Sequence, residues 1–142
     1  MRKVVLIVVT IVSVIFLTSC KKENSNISTS IKGTWELIKI ESDRIINYQP
    51  GNGNKLVFTD SSYEVYLNNQ RVKNGSYTLI KDPLAEKEVC LVVPANQFTE
   101  RIVYDNGYNA QKIFVQISNN TLTLLTGCFA IDAGSKSIYV RR

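Results

Sequence analysis

Few side chains in this sequence could carry out chemistry, and the most telling observation is which type is missing. The chain contains three cysteines and no histidine. The usual general base, Ser-His-Asp and Cys-His arrangements and histidine-ligated zinc are therefore excluded. Paired carboxylates can replace histidine, as in glycosidases, and Glu86, Glu88 and Asp105 are the candidates. Their spacing does not join them into an acid/base pair, so we expect a solvated face and no catalytic residues, metal or cofactor.

The first cysteine, Cys20, stands at the end of an apolar leader. Arg2 and Lys3 give a positive start, and Val4 to Leu17 form a run of 14 uncharged residues. That run is too short for a transmembrane helix, which needs about 20 apolar residues. The sequence Leu17-Thr18-Ser19-Cys20 resembles a bacterial lipoprotein signal with its lipobox. The resemblance implies cleavage before Cys20 and acylation of its thiol, and plain secretion is the alternative.

The leader divides the chain into three predicted parts. Residues 1–19 form the signal peptide, residues 20–30 the lipidated cysteine with a flexible polar tether, and residues 31–142 a single domain. Acyl chains such as palmitate would hold the protein to the cell envelope, and we expect the outer membrane, at its periplasmic or outer face. The net charge of +5 is partly due to the leader, and no dense basic patch is present. Nucleic acid is therefore not an expected partner.

The other two cysteines, Cys90 and Cys128, form an even pair once Cys20 is assigned to lipid. Outside the reducing cytosol such a pair can form a disulfide. Closing a loop of this length would stabilise the fold by roughly 3 to 5 kcal/mol in the loop-entropy description. Two buried thiols that act as small apolar residues are the alternative.

Beyond Ile31 the pattern is one of short segments rich in β-branched and aromatic residues, separated by turn residues. Tyr63 and Val65 alternate with Glu64, which indicates one buried and one solvated face. We predict nine strands: Gly33–Glu41, Lys55–Thr59, Ser62–Leu67, Gly75–Ile80, Glu88–Val93, Glu100–Tyr104, Gln111–Ile117, Thr121–Leu125 and Ser137–Arg141. The fifth is apolar throughout and is expected to be covered on both sides. The fold class is therefore all-β, a single antiparallel up-and-down barrel of eight or nine strands.

Four segments in order resemble the lipocalin-like domains of small bacterial lipoproteins. They are Ile31-Lys32-Gly33-Thr34-Trp35-Glu36-Leu37, Leu56-Val57-Phe58-Thr59-Asp60, Asn74-Gly75-Ser76-Tyr77-Thr78-Leu79 and Asn120-Thr121-Leu122-Thr123-Leu124. The resemblance implies that Trp35 plugs one end of the barrel, that Gly33 lets the chain cross beneath the strands, and that Arg141 packs over Trp35 in a cation–π contact.

The number of strands and their alternating direction predict how the barrel closes and which loops lie at its open end. Antiparallel closure needs an even number of strands, so one of the nine must be an addition or part of a longer bent strand. Connections opposite Trp35 are expected at Ser42–Asn54, Asn68–Asn74, Pro94–Thr99 and Asn119-Asn120. The first is the longest, and Ile45, Ile46 and Tyr48 within it are the candidate lid. Alternatively, its isoleucines merely cap the barrel core.

Three functions are consistent with the sequence. The first is a lipid-anchored barrel that binds a small apolar ligand. The second is a non-enzymatic structural or interaction module with a filled barrel, whose partner is a cell-envelope protein or a glycan. The third is a carboxylate enzyme, which the spacing does not favour. A large interior cavity beside Tyr48 would support the first function, and a solidly packed barrel would exclude it.

Overall fold

The structure of the protein is a computed structural model that describes residues 30–142. Cys20 and the predicted leader and tether up to residue 29 lie outside the described residues. Within residues 30–142 the strands are β1 (Gly33–Glu41), β2 (Ile45–Asn47), β3 (Lys55–Phe58), β4 (Ser62–Leu67), β5 (Gln70–Lys81), β6 (Glu100–Tyr104), β7 (Ile113–Ser118), β8 (Thr121–Thr126) and β9 (Ser135–Arg141). A short helix, α1 (Ala85–Val89), lies between β5 and β6, and a 3-10 turn, Phe129–Ile131, precedes β9.

The strands form one antiparallel sheet that closes into an eight-stranded barrel. Each strand from β3 to β9 pairs with the next, and β9 pairs with β1 through partners such as Trp35 and Arg141. β2 is the extra strand, because it pairs only with the second half of β1 while β3 takes the first half of the same edge. The parity problem is thereby resolved, since eight alternating strands meet antiparallel at closure.

The predicted strand Glu88–Val93 is wrong. Its start belongs to helix α1, in which Ala85 and Val89 lie four residues apart on one face and are each 1% exposed. Cys90 then ends the helix in the left-handed conformation, with φ of 53°. The next residues are exposed, with Val92 at 84%. The apolar run thus combines a buried helix end with an exposed bend, and the segment covers the barrel wall instead of being covered by it.

Two apolar cores lie on opposite sides of the barrel wall. The inner core fills the barrel and contains Trp35, Leu56, Phe58, Tyr63, Ile102, Val115 and Leu122. The outer core lies beneath α1 and contains Ala85, Val89, Phe98, Phe114 and Leu125. The wall can serve both because Phe114 and Val115 are neighbours in β7 and so point to opposite faces. Residues 82–99, which we call the outer segment, therefore pack against the outside of the barrel.

Alternating strand direction assigns the connections to the two ends of the barrel. The end where β1 begins is called the Trp35 rim; it holds residues 59–61, both ends of the outer segment, and residues 119–120. The opposite rim holds residues 42–54, 68–69, 105–112 and 127–134. The turn predicted at Asn119-Asn120 joins β7 to β8, with φ of 54° at Asn119. However, placing this turn and Pro94–Thr99 at the opposite rim was wrong, because the predicted strand Glu88–Val93 does not exist and its removal reverses the direction of every later strand.

Candidate functional site

The Trp35 rim is closed by the residues that the sequence assigned to it. Trp35 is fully buried, and its Nε1–H donates to the carbonyl of Ile31 over 2.6 Å. The Arg141 guanidinium lies 4.1 Å from the Trp35 ring centroid, so the predicted cation–π contact is present. Arg141 Nη1 also donates to the carbonyl of Lys32. Gly33 lies between them with φ of +125°, a conformation that glycine adopts at little cost.

The candidate lid does not lie over the barrel. Ile45 and Ile46 belong to β2 and are 63% and 39% exposed, so neither caps the inner core. Tyr48 is half-buried, and its backbone N–H donates to the carbonyl of Ile38. Past Tyr48 the loop is fixed to β1, because the Asn52 carboxamide donates to the Leu37 carbonyl over 2.9 Å. This connection is therefore an anchored surface element.

A buried carboxylate holds the same loop and the chain end together. Glu36 is 2% exposed and accepts a hydrogen bond from Arg142 Nε over 2.7 Å. Burial acts to raise the pKa of Glu36, but the backbone N–H groups of Gly51 and Gly53, together with the Arg142 guanidinium, outweigh it and hold the pKa below 4.5. Glu36 is thus ionised at neutral pH and has a structural role.

Tyrosines fill much of the barrel interior. The rings of Tyr63 and Tyr104 have centroids 4.4 Å apart, and the Tyr77 hydroxyl donates to the Thr59 carbonyl. Burial raises the pKa of Tyr104 far above its ordinary value, and it raises the pKa of Tyr139 to about 12. These phenols are neutral at physiological pH. Their packing agrees with the expectation that most aromatic residues form core.

The outer segment is fastened to the opposite rim by a disulfide. Cys90, just after α1, is bonded to Cys128, just after β8, and their Cα atoms lie 5.0 Å apart. The alternative of two free thiols therefore does not hold in this structure. Because Cys128 begins the β8–β9 connection, the disulfide brings α1 to the side of two opposite-rim loops.

An ion-pair chain fixes the same segment to the barrel wall. Asp82 Oδ2 lies 3.1 Å from Arg101 Nε and 3.0 Å from Lys112 Nζ, and Lys112 Nζ also lies 3.0 Å from Glu88 Oε1. Burial acts to raise the pKa of Asp82, but hydrogen bonds from Lys112 and from the Leu84 backbone N–H, together with the charges of Lys112 and Arg101, lower it overall. The Asp82 and Arg101 side chains are about one-tenth exposed, so the charges are compensated at a largely buried position.

A cleft of about 540 Å³ opens where α1 meets the two opposite-rim loops. It lies outside the barrel and away from Tyr48. The buried Val89 and Phe114 lie beneath its floor, and the exposed Ile131 borders it. Its polar lining includes Glu88, Tyr108, Asn109, Gln111 and Lys112. Three chain segments far apart in sequence build it, and the disulfide lies at its edge. This cleft is the candidate functional site.

The three candidate carboxylates are divided between helix α1 and the end of β6. Glu86 and Glu88 lie on α1, and Asp105 accepts hydrogen bonds from the Tyr63 hydroxyl and the Ser76 backbone N–H. Within residues 30–142, no group of three or more potential ligands is placed to hold a metal ion. The same part of the chain contains no helix long and apolar enough to span a membrane.

Sequence reasoning did not find the cleft. Tyr108 and Ile131 line it, and neither was among the candidate residues. The available signal was an aromatic residue in the run Asp105-Asn106-Gly107-Tyr108-Asn109, where turn residues would force its ring outward. Tyr108 is indeed 51% exposed.

Comparison with known proteins gives no relatives. No protein-family model, curated protein or solved structure matches the chain. The resemblance to lipocalin-like lipoprotein domains therefore stays a prediction, and function has to be argued from the site.

Proposed function

We propose that this protein is a cell-envelope lipoprotein whose lipocalin-like barrel is a non-enzymatic module that binds a small ligand with an apolar face. The leader and lipobox support acylation at Cys20, and two or more acyl chains would hold the protein stably at a membrane. The closed barrel supports a rigid carrier for a binding site. The proposed location is the outer membrane.

The cleft beside α1 is the observation that carries the binding proposal. Its volume of about 540 Å³ lies within the range of roughly 300 to 1,000 Å³ typical of small-molecule sites. Val89 and Phe114 give it rigid walls, because both belong to the packed outer core. The ligand site is therefore proposed on the outer wall, and not beneath the lid first expected at Ile45, Ile46 and Tyr48.

Native mass spectrometry of the full chain, extracted with its natural lipids, tests the binding proposal. We expect a retained small molecule in the wild type and its loss in Ile131→Asp, which puts a charge into the cleft. Val72→Asp is the matched control, since Val72 is also exposed but lies on β5 and does not line the cleft. Retention of the same mass by Ile131→Asp would contradict the proposed site.

The anchor is tested separately by metabolic labelling with an alkyne analogue of palmitate. We expect label and membrane association in the wild type and in Cys90→Ser/Cys128→Ser, and neither in Cys20→Ser. Label on the Cys20→Ser variant would show that the lipid is attached elsewhere or that the leader works differently.

A second candidate is a non-enzymatic structural or interaction module without a ligand. The dense inner core favours it, because Trp35 and Leu122 are fully buried and Tyr63 is 1% exposed. In that case the outer surface or the loops would meet another cell-envelope protein. Mass spectra without any retained molecule, combined with a protein cross-linked to the wild type in cells, would favour this candidate.

A further inference from the structure

The polar lining of the cleft narrows the class of ligand. We infer that the cleft recognises a neutral saccharide, which it holds against Tyr108 and the side-chain amides of Asn109 and Gln111. This inference rests on the proposed binding function and names the ligand class for the same site.

Charge compensation points to a neutral ligand. The charged groups at the cleft are Glu88 and Lys112, whose charged atoms lie 3.0 Å apart. Behind them, Asp82 and Arg101 form a second compensated pair. The Glu88 and Lys112 side chains are 39% and 27% exposed, and each already has an oppositely charged partner. A carboxylate or ammonium ligand would therefore find no unpaired opposite charge among the lining residues. Such a lining favours a neutral ligand over a fatty acid or a cation.

Two carboxamides supply donors and acceptors for hydroxyl groups. Neither the Asn109 nor the Gln111 side chain makes a hydrogen bond with any residue in the range 30–142, and both line the cleft. Each offers one acceptor oxygen and two donor hydrogens. A sugar hydroxyl both donates and accepts, so it can pair with either group. A purely hydrocarbon ligand would remove these amides from water without replacing their hydrogen bonds, which costs about 1 to 3 kcal/mol per group.

Tyr108 supplies the flat apolar surface that complements a pyranose ring. Its side chain is 51% exposed and, within residues 30–142, makes no hydrogen bond. Its backbone is nevertheless fixed, because the N–H donates to the Asn106 carbonyl over 2.9 Å. A tyrosine ring presents a large contact area and loses little conformational entropy on binding. The C–H face of a sugar can stack on it while the sugar hydroxyls reach the amides.

The position of the cleft also suits a ligand from the aqueous phase. The chain enters the barrel at the Trp35 rim, where Arg141 Nη2 donates to the carbonyl of Ser30 over 2.6 Å. The cleft lies at the opposite rim. A tether that leads to a membrane therefore starts at the far end of the barrel from the cleft, which leaves the cleft accessible to a soluble or wall-borne sugar.

Saturation-transfer NMR on the full lipidated chain tests the inference. The protein is held in a polyoxyethylene detergent, which contains no sugar, and is presented with maltotriose, cellotriose and the trimer of N-acetylglucosamine. We expect transfer to the ring protons of at least one of them at about 5 mM, a concentration that detects millimolar dissociation constants. Tyr108→Ala should weaken that binding about tenfold, the upper range for a well-placed aromatic contact. Tyr108→Phe and the exposed-surface control Leu67→Ala should bind like the wild type.

Three other outcomes would contradict the location of the sugar, the class of ligand or the binding function. Saccharide binding that survives Tyr108→Ala unchanged would overturn the assignment of the sugar to this cleft. If all three saccharides fail but 1-decanol binds and is lost in Ile131→Asp, the sugar inference is wrong while the proposed binding function stands. If neither class of ligand binds, both the inference and the binding function fail.

Discussion

Removing the disulfide should weaken the fold without opening the barrel. The Cys90–Cys128 bond closes a sequence separation of 38 residues, and the loop-entropy relation gives about 4 kcal/mol for a loop of this length. None of the barrel ladders depends on this bond, since β1 and β9 close the sheet through their own backbone pairing. The outer core would still hold the outer segment in place through Phe114 and Val89. We therefore expect Cys90→Ser/Cys128→Ser to fold, with a free energy of unfolding lowered by about 3 to 4 kcal/mol.

Urea unfolding followed by tryptophan fluorescence measures this loss. Trp35 is the single tryptophan of the chain and is fully buried in the barrel, so its emission reports on the barrel and not on the outer segment. Native spectra of the variant and the wild type should coincide, and the unfolding midpoint should move to lower urea. Dithiothreitol should shift the wild type to the same midpoint and leave the variant unchanged. A loss below about 1 kcal/mol would refute the loop-entropy reasoning, and a red-shifted native spectrum would show that the barrel itself needs the bond.

Three further predictions concern the closed end and the buried charges. Glu36→Gln should lower stability at pH 7 by about 1.5 to 3 kcal/mol, the range for a hydrogen bond to a charged group, as measured by urea unfolding. The pKa of Glu36 is lowered in the folded state, so the ionised carboxylate stabilises the wild type at pH values above its unfolded pKa. This stabilisation is lost as the pH falls through the folded pKa. The Glu36→Gln variant should therefore lose less stability in acid than the wild type. Gly33→Ala should be destabilised by about 1 to 3 kcal/mol, because φ is +125° and the new Cβ would lie 2.8 Å from Arg141 Nη1; calorimetry measures this. Arg141→Met should red-shift Trp35 emission, whereas an unchanged spectrum would contradict the cation–π contact.

Local patterning predicted most of the barrel because its strands carry their own signals. Alternation around Tyr63 and Val65 identified β4, and two asparagines between β7 and β8 identified a hairpin turn that tolerates left-handed angles. The contact of Arg141 with Trp35 came from the family resemblance. These features depend on neighbours in sequence or on a recurring motif, so they can be read without knowing the path of the chain.

The structure of the outer segment could not be predicted from local sequence patterns, because tertiary packing determines it. Val89 is buried and Val92 is 84% exposed, yet both belong to the same apolar run. The two residues differ in exposure because helix α1 ends between them at Cys90, which has a left-handed backbone conformation. The Cys90 sulfur is bonded to Cys128. A single misassigned strand then reversed the count of the connections, and with it the end of the barrel at which each loop was expected.

The separation of anchor and cleft limits where the proposed ligand can come from. Strands of six to nine residues, such as β8 and β1, span about 20 to 30 Å along their own length at roughly 3.3 Å per residue. Because barrel strands tilt by about 35 to 45°, the two rims lie about 15 to 25 Å apart. The described chain begins at one rim and the cleft lies at the other, so a domain whose Trp35 rim faced the membrane would hold the cleft about that far from the bilayer surface. This exceeds the Debye length of about 8 Å at physiological salt, and headgroup charge would not concentrate a ligand there. In that orientation the occupancy of the cleft would follow the aqueous concentration of the ligand, and for a neutral sugar this holds at any distance because headgroup charge does not attract it.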